Sequence, residues 1–209
     1  MLENRLPTRQ TKITGVVLAG GMAQRMGGTD EGLIQLIDRP MIDYVIASLT
    51  PQVDTIIINA NRNLQQYRHY GYPVVADTIG DFPGPLAGIA TALSTAETDL
   101  VLTVPCDGPW LPSDLTQRLL DQFTSQNADV CVAHDGNRMQ PVFGLFHKRI
   151  LPDIEDYLSA GERKLQLWLK RVRLATADFS DHPEAFINVN TPEEKERVER
   201  ILSGSTSTQ

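Results

Sequence analysis

Two textures alternate along the chain: short, nearly continuous β-branched runs, and longer stretches with apolar residues at helical spacing. Ile13 to Leu18, Thr55 to Asn59, Pro73 to Ala76 and Leu100 to Val104 predict buried strands. A short strand is expected over Gly32 to Leu36, followed by a helix opened by Pro40 and running to Leu49. Further helices are expected from Asn63, as cap, to near Gly71, over Ile89 to Ser94, and from Ser113, as cap, to Ser125. Such alternation predicts an α/β fold with a mostly parallel sheet covered by helices on both faces.

The second half is less regular. Val130 to Ala133 and Val142 to Phe146 read as strands joined by the polar turn His134 to Arg138. Ile150 to Ser159 reads as helix, Ala160 to Lys164 interrupts it, and a second helical stretch reaches Lys170. Leu174 to Asp178 and Ala185 to Val189 are candidate strands. Thr191 as cap, Pro192 behind it and two acids in the first turn open a last helix that runs to Leu202. No repeat or linker interrupts the pattern. The expected layout is a flexible segment 1–12, a single domain 13–202 with halves 13–125 and 126–202, and a disordered tail 203–209.

A chain of 209 residues can bury a substantial core without disulfides, and 41% hydrophobic with 22% charged residues is ordinary for a globular protein. A net charge of −7 argues against broad nucleic-acid binding. No apolar run reaches membrane-spanning length and no secretory pattern precedes Ile13, so the expected location is the cytoplasm, with no membrane partner. Cys106 and Cys131 form no C-x-x-C pair and are expected in the interior, and the four histidines lack metal-ligand spacing.

Candidate chemistry gathers where the strands end. Gly20, Gly21, Gly27, Gly28 and Gly32 follow the first strand, and glycine at that density lets backbone N–H groups converge on an anion. Arg25, in their midst, can add a bidentate fork for a phosphate. Neither a Gly-Lys-Ser/Thr ending nor a G-x-G-x-x-G opening is present. Asp107, between Pro105 and Pro109, suits Mg²⁺, or else caps local amides as a turn residue. Asn188 and Asn190 fall on one side of an extended segment. Asn190 either completes a metal or phosphate shell or caps the last helix. Asn59 and Asp77 could hold a base or ribose, or only close their strands. Asp81 to Gly88 reads as a stiff loop able to approach a flat ligand. Trp110 and Trp168 read as packing residues. No Ser-His-Asp or Cys-His arrangement is suggested, which leaves positioning and charge neutralisation, the needs of phosphoryl-type transfer.

The run from Leu18 to Gly32, L-A-G-G-x-x-x-R-M-G-x-x-D-x-G, closely resembles the signature loop of nucleotidyltransferases with a Rossmann-like domain. In order along the chain follow GPLAG at Gly84 to Gly88, VPCDGP at Val104 to Pro109, YLSAGERK at Tyr157 to Lys164, DFSDH at Asp178 to His182 and NVNTPEE at Asn188 to Glu194. With these, the chain from Ile13 to about Glu196 is similar to the MobA-type molybdenum cofactor guanylyltransferases. The resemblance implies Mg²⁺-dependent transfer of GMP from GTP to molybdenum-molybdopterin, giving the guanine dinucleotide cofactor and pyrophosphate. It also implies transient contact with cofactor insertion proteins and acceptor enzymes. By motif, Leu18, Ala19, Gly20 and Gly21 would contact GTP, Asn59 and Asp77 the nucleoside, and Arg25 the phosphates. Asp107 and Asn190 would take the metal, and Gly161, Arg163, Lys164 and Asn188 would face the pterin. One position departs. The family's loop reads D-K-G-L, and here it reads Asp30-Glu31-Gly32-Leu33. Two unit charges at ~4 Å interact by roughly 4 kcal/mol at an effective dielectric near 20, so Glu31 at the lysine position is expected to slow transfer. A catalytically silent nucleotide- or molybdopterin-binding protein, and a related transferase that uses CTP, remain the alternative readings.

Overall fold

The computed structural model describes residues 11–19, 22–23, 29–78 and 84–204. Strands form where the β-branched runs fall: β1 Ile13–Leu18, β2 Thr55–Asn59, β3 Val74–Val75 and β4 Leu100–Pro105. The second half adds β5 Val130–His134, β6 Met139–His147 and β7 Leu174–Asp178. Together they make one sheet in the order β7-β5-β6-β4-β1-β2-β3. Its pairings are parallel except that β6 runs antiparallel between β4 and β5.

Both faces of the sheet are covered, which is why its strands are apolar without alternation. Along β2, Ile56 and Ile58 turn to one face and Ile57 to the other. On the first face lie α1 Met41–Leu49, α2 Leu64–Arg68 and α4 Leu115–Ser125, through Ile42, Val45, Leu49, Tyr67, Leu115 and Leu119. On the second lie α3 Pro85–Thr95, α5 Leu151–Ser159 and α6 Leu165–Trp168, through Leu86, Ile89, Ile154, Tyr157 and Trp168. Burial of each large aliphatic side chain contributes about 1.5–3 kcal/mol, so a one-residue slip of any central strand would be costly. The last helix, α7 Pro192–Leu202, packs Val198 with Leu36, Met41, Tyr44 and Val189 in a separate small cluster. Cys106 and Cys131 are buried, as expected, and Trp168 is enclosed with its indole N–H donating to Asp153 Oδ1 at 2.7 Å.

Several boundaries differ from expectation, each for a local reason. Helix α3 starts at Pro85, four residues before the expected Ile89, because Pro85 takes the first helical position, where its missing N–H costs nothing. Thus Gly84 to Gly88 is the opening of a helix, while 81–83 of the expected stiff loop lie outside the described residues. Helix α4 is preceded by Asp114 rather than capped by Ser113, and the Asp114 carboxylate pairs with Arg118 at 2.7 Å. Asn63 does precede α2, but with φ of 50° and no capping bond; its amide donates to Asp30 instead. That helix closes at Arg68, short of Gly71. Of Gly32 to Leu36, only Gln35–Leu36 pairs as strand, while Glu31–Leu33 forms a 3-10 turn. Ala185 to Val189 is no strand: Pro183–Phe186 is a 3-10 turn, and Phe186 sets its ring edge-on to Phe143 and Phe179. Burial, not sheet pairing, accounts for its apolar pattern.

Candidate active site

The carboxyl ends of β2, β1 and β4 finish level, with Asn59 opposite Leu18 and Leu18 opposite Pro105. The ladder continues just past them. Ala19 N–H donates to the Asn59 carbonyl at 2.7 Å, Cys106 N–H to the Leu18 carbonyl at 3.1 Å, and Ala60 N–H to the Val75 carbonyl at 2.8 Å. The loops that follow therefore leave from one edge, about 10 Å wide from β2 to β4. In parallel sheets this edge is where ligands bind.

At the β2 end, Asn59 is almost fully buried. Its amide donates to Asp77 Oδ1 at 2.8 Å and to the Val75 carbonyl at 3.3 Å. Asn61 donates to Asp77 Oδ2 at 2.8 Å and accepts the Asp77 N–H at 2.8 Å. Two amides thus orient one half-buried carboxylate while leaving it free lone pairs for a ligand's N–H or O–H groups. The first turn of α3 rests on Asn59. A β-carbon on Gly88 would stand 2.5 Å from Asn59 Oδ1, so only glycine allows that approach. The opening residue Gly84 has no side chain to cap the helix, and Pro85 at its first position has no N–H to be capped. The Gly84 Cβ position lies 4.0 Å from the Arg163 carbonyl, so the 161–164 segment stands beside the α3 opening.

At the β4 end, Asp107 is 6% exposed. Burial, and then the negative charges of Glu31 and Glu194, push its carboxyl up to about 7. Glu31 is half-buried, and its carboxyl is raised first by burial and next by Asp30, with Arg62 opposing. Asp30 is itself buried, and both its oxygens are taken, one by the Tyr67 hydroxyl and one by the Asn63 amide at 3.0 Å. The Asp107 carbonyl accepts the Val189 N–H at 2.9 Å, which seats Asn188 and Asn190 beside the Asp107 turn. Thr191, not Asn190, caps α7: its hydroxyl accepts the Glu194 N–H at 3.2 Å, while Glu194 reaches back to the Asn190 N–H at 2.8 Å. The Asn190 side chain is therefore not spent on the cap.

The structure brings Leu18, Ala19, Asn59, Asp77, Asp107, Glu31, Asn188 and Asn190 to one edge. Of Gly161, Arg163 and Lys164, it is the Arg163 carbonyl that stands beside the opening of α3. Gly20, Gly21 and Arg25 lie outside the described residues. Asn61 and Glu194 were not foreseen. The alternation Asn59-Ala60-Asn61 and the T-x-x-E spacing from Thr191 to Glu194 were the signals for them. Among the described residues no three His, Cys, Asp or Glu side chains converge as a metal cage. A buried carboxylate with an amide nearby nonetheless suits Mg²⁺, which commonly uses one or two carboxylates and completes its shell with waters and substrate phosphates.

Comparison with known proteins agrees with this architecture. Residues 15–177 match the model of the MobA-like NTP transferase domain. The chain is 47% identical over 192 residues to a molybdenum cofactor guanylyltransferase of Shewanella loihica, covering 92% of this chain and 98% of that protein. It is 48% identical over 187 residues to the molybdenum cofactor guanylyltransferase of Photobacterium profundum, covering 90% of this chain and 95% of that one. In fold it superposes on molybdopterin-guanine dinucleotide biosynthesis protein A from Archaeoglobus fulgidus with a TM-score of 0.78 at 20% identity, over 91% of this chain and 99% of that one. With the strand-end site and the match over most of its length, the chain belongs to the MobA-like NTP transferase family and is a nucleotidyltransferase.

Proposed function

We propose that the protein transfers GMP from GTP to the terminal phosphate of molybdenum-molybdopterin, giving the guanine dinucleotide cofactor and pyrophosphate. The observation that carries the reading is the meeting of two subsites on one sheet edge. One is the Asn59–Asn61–Asp77 cluster, and the other is the buried Asp107 tied to the Asn188–Asn190 segment. An oriented carboxylate that accepts two hydrogen bonds side by side suits the N1–H and amino group of guanine. Leu18, Ala19, Gly20 and Gly21 would line the nucleotide path, with Arg25 on the phosphates. Gly161, Arg163, Lys164 and Asn188 would face the pterin, so the half 13–125 holds the nucleotide and the half 126–202 the acceptor.

In the reaction, an oxygen of the pterin phosphate attacks the α-phosphorus of GTP. The bond from α-phosphorus to the bridging oxygen breaks, and its electron pair leaves with pyrophosphate. Asp107 and Asn190 would hold Mg²⁺, which when bound supplies positive charge to the reacting phosphates. The protein's own part is to fix both phosphates in line and to exclude water, since such transfer needs little covalent help. The product would pass to cofactor insertion proteins and acceptor enzymes, with the reaction set in the cytoplasm.

The test is a single-turnover assay with molybdenum-loaded molybdopterin and GTP, CTP or ATP. Transfer from GTP should exceed that from CTP and ATP, and Asp107→Asn should lose at least ~10²-fold in rate, as expected when a charge-organising group is removed. Equal transfer from CTP would overturn the guanine assignment. Glu31 is the one feature that favours a second reading, a silent binding protein; tight Mg·GTP binding without any transfer would select it.

A further inference from the structure

The turn that follows β2, Asn61-Arg62-Asn63, is fastened at both ends. Asn61 is clasped to Asp77, donating one hydrogen bond and accepting another, each 2.8 Å long. Asn63 donates to Asp30 Oδ2 at 3.0 Å, and it holds a left-handed φ of 50° while making no capping bond to α2. Such a conformation persists only where its surroundings impose it. Asp30 is buried and accepts the Tyr67 hydroxyl on its other oxygen, so two residues of the α2 region grip one carboxylate. The following turn is pressed on the same helix: a β-carbon on Gly32 would stand 2.8 Å from the Tyr67 hydroxyl.

This latch joins the residue after Arg62 to the residue before Glu31. The two side chains consequently act on each other: burial and then Asp30 raise the Glu31 carboxyl, and Arg62 is the charge that opposes them. Arg62 is half-buried, whereas Asn61 and Asn63 on either side of it are exposed. In the proposed function, on which this rests, Asp77 takes the base and the loop that ends at Asp30 takes the phosphates. Arg62 stands between those two anchors, on the way from base to triphosphate. Transfer needs positive charge at the phosphates, and Glu31 brings the opposite sign. A guanidinium carries five N–H donors in a planar fork, so it can offset an acid on one side and bond a phosphate on another.

We propose that Arg62, set in place by the latch between α2 and Asp30, binds the triphosphate of the incoming nucleotide and supplies the positive charge that position 31 lacks in this chain. Glu31 is then a positioning residue, the counter-charge that steers the guanidinium. Positions 31 and 62 share one task, so a cation at position 31 makes Arg62 dispensable.

The experiment is calorimetric titration of the full-length protein with Mg·GTP, and with guanosine, which has no phosphates, read by its displacement of GTP. Wild type, Arg62→Gln, Arg62→Lys, Glu31→Lys and the double variant Glu31→Lys/Arg62→Gln are compared, with circular dichroism to verify that each folds. Arg62→Gln should weaken GTP binding by at least ~10-fold, as when a charged hydrogen bond is lost, and should leave guanosine binding unchanged. Arg62→Lys should recover part of the loss, since the charge remains while the fork does not. In the Glu31→Lys background, Arg62→Gln should cost less than ~3-fold, the non-additivity of two residues that share a partner. Unchanged GTP affinity in Arg62→Gln overturns the inference and leaves the transferase reading intact. Equal losses for GTP and guanosine also overturn it, because Arg62 would then only shape its turn. An undiminished loss in the Glu31→Lys background overturns the shared task. Failure of the wild type to bind either ligand overturns the proposed function as well.

Discussion

Asn59 is held from three sides, by Asp77, by the Val75 carbonyl and by the first turn of α3 at Gly88. That arrangement makes Gly88→Ala an informative change. Alanine within a helix is favoured over glycine by about 1 kcal/mol. The new methyl would stand 2.5 Å from Asn59 Oδ1 and 3.0 Å from Leu18 Cδ2, so the Asn59 amide must turn away from Asp77. The lost bond costs about 1 kcal/mol net, which nearly offsets the gain. The melting temperature should therefore move by no more than about 3 °C. GTP affinity, measured calorimetrically, should fall by at least ~10-fold, because Asp77 loses one of its two orienting amides. Unchanged affinity would remove Asn59 and Asp77 from the nucleotide site. At this scale the sequence exposed residues whose signal is local: Asp107 between prolines, and Asn59 and Asp77 at strand ends. It hid those whose meaning depends on a distant partner. Asn61 acquires its role only when β3 delivers Asp77, and Glu194 only when Val189 docks on Asp107.

Among the elements, continuous β-branched runs were the most legible, since burial on both faces leaves no alternative to a central strand. Ala185 to Val189 misled for the same reason in reverse: a buried apolar segment need not pair. The turn between Gln35–Leu36 and Arg39–Pro40 is less orthodox still. Ile37 has φ of 59° and is 53% exposed, a left-handed conformation on a β-branched residue with little burial in return. Neighbours enforce it. Ile37 N–H donates to Glu199 at 2.9 Å, Tyr44 hydroxyl donates to the Leu36 carbonyl at 2.9 Å, and the Arg39 guanidinium lies 4.0 Å from the Tyr44 ring centre. The left-handed conformation costs about 1–2 kcal/mol, while glycine would cost about 0.5–1 kcal/mol through the entropy of the unfolded chain. Ile37→Gly should therefore stabilise the protein by roughly 0.5–1 kcal/mol, seen as a rise of about 1–4 °C in melting temperature. A fall would mean that the exposed side chain contributes packing that its solvent exposure conceals.

Across the whole molecule, a net charge of −7 sets acids against one another, and the fold answers with a few well-placed arginines. At the β7 edge of the sheet, Asp129 accepts from Arg149 Nε at 2.7 Å, Arg173 Nε at 3.0 Å, Arg173 Nη2 at 2.9 Å and the Arg173 backbone N–H at 3.1 Å. One carboxylate thereby joins the start of β5, the end of β6 and the approach to β7. The bonds to Arg173, with help from Arg149, hold its carboxyl well below the usual carboxylate range. Both arginines are substantially exposed, so solvent screening limits the contribution to about 1 kcal/mol, and Asp129→Asn should destabilise by that amount at neutral pH. The sign of the pH dependence follows from the depressed folded value. An aspartate in the unfolded chain titrates near pH ~3.9, so the unfolded state takes up the proton first as pH falls. The stabilisation is fully present above roughly pH 5 and declines from the unfolded value downward toward the lower folded one. Urea unfolding of wild type and Asp129→Asn in parallel isolates this group, because other acids titrate alike in both. The gap between the two should be constant from pH 7 to about pH 5 and should narrow below pH ~4. A gap that stays flat or widens on further acidification would mean that the arginine cluster is decoration at the edge of the sheet and that other contacts close it.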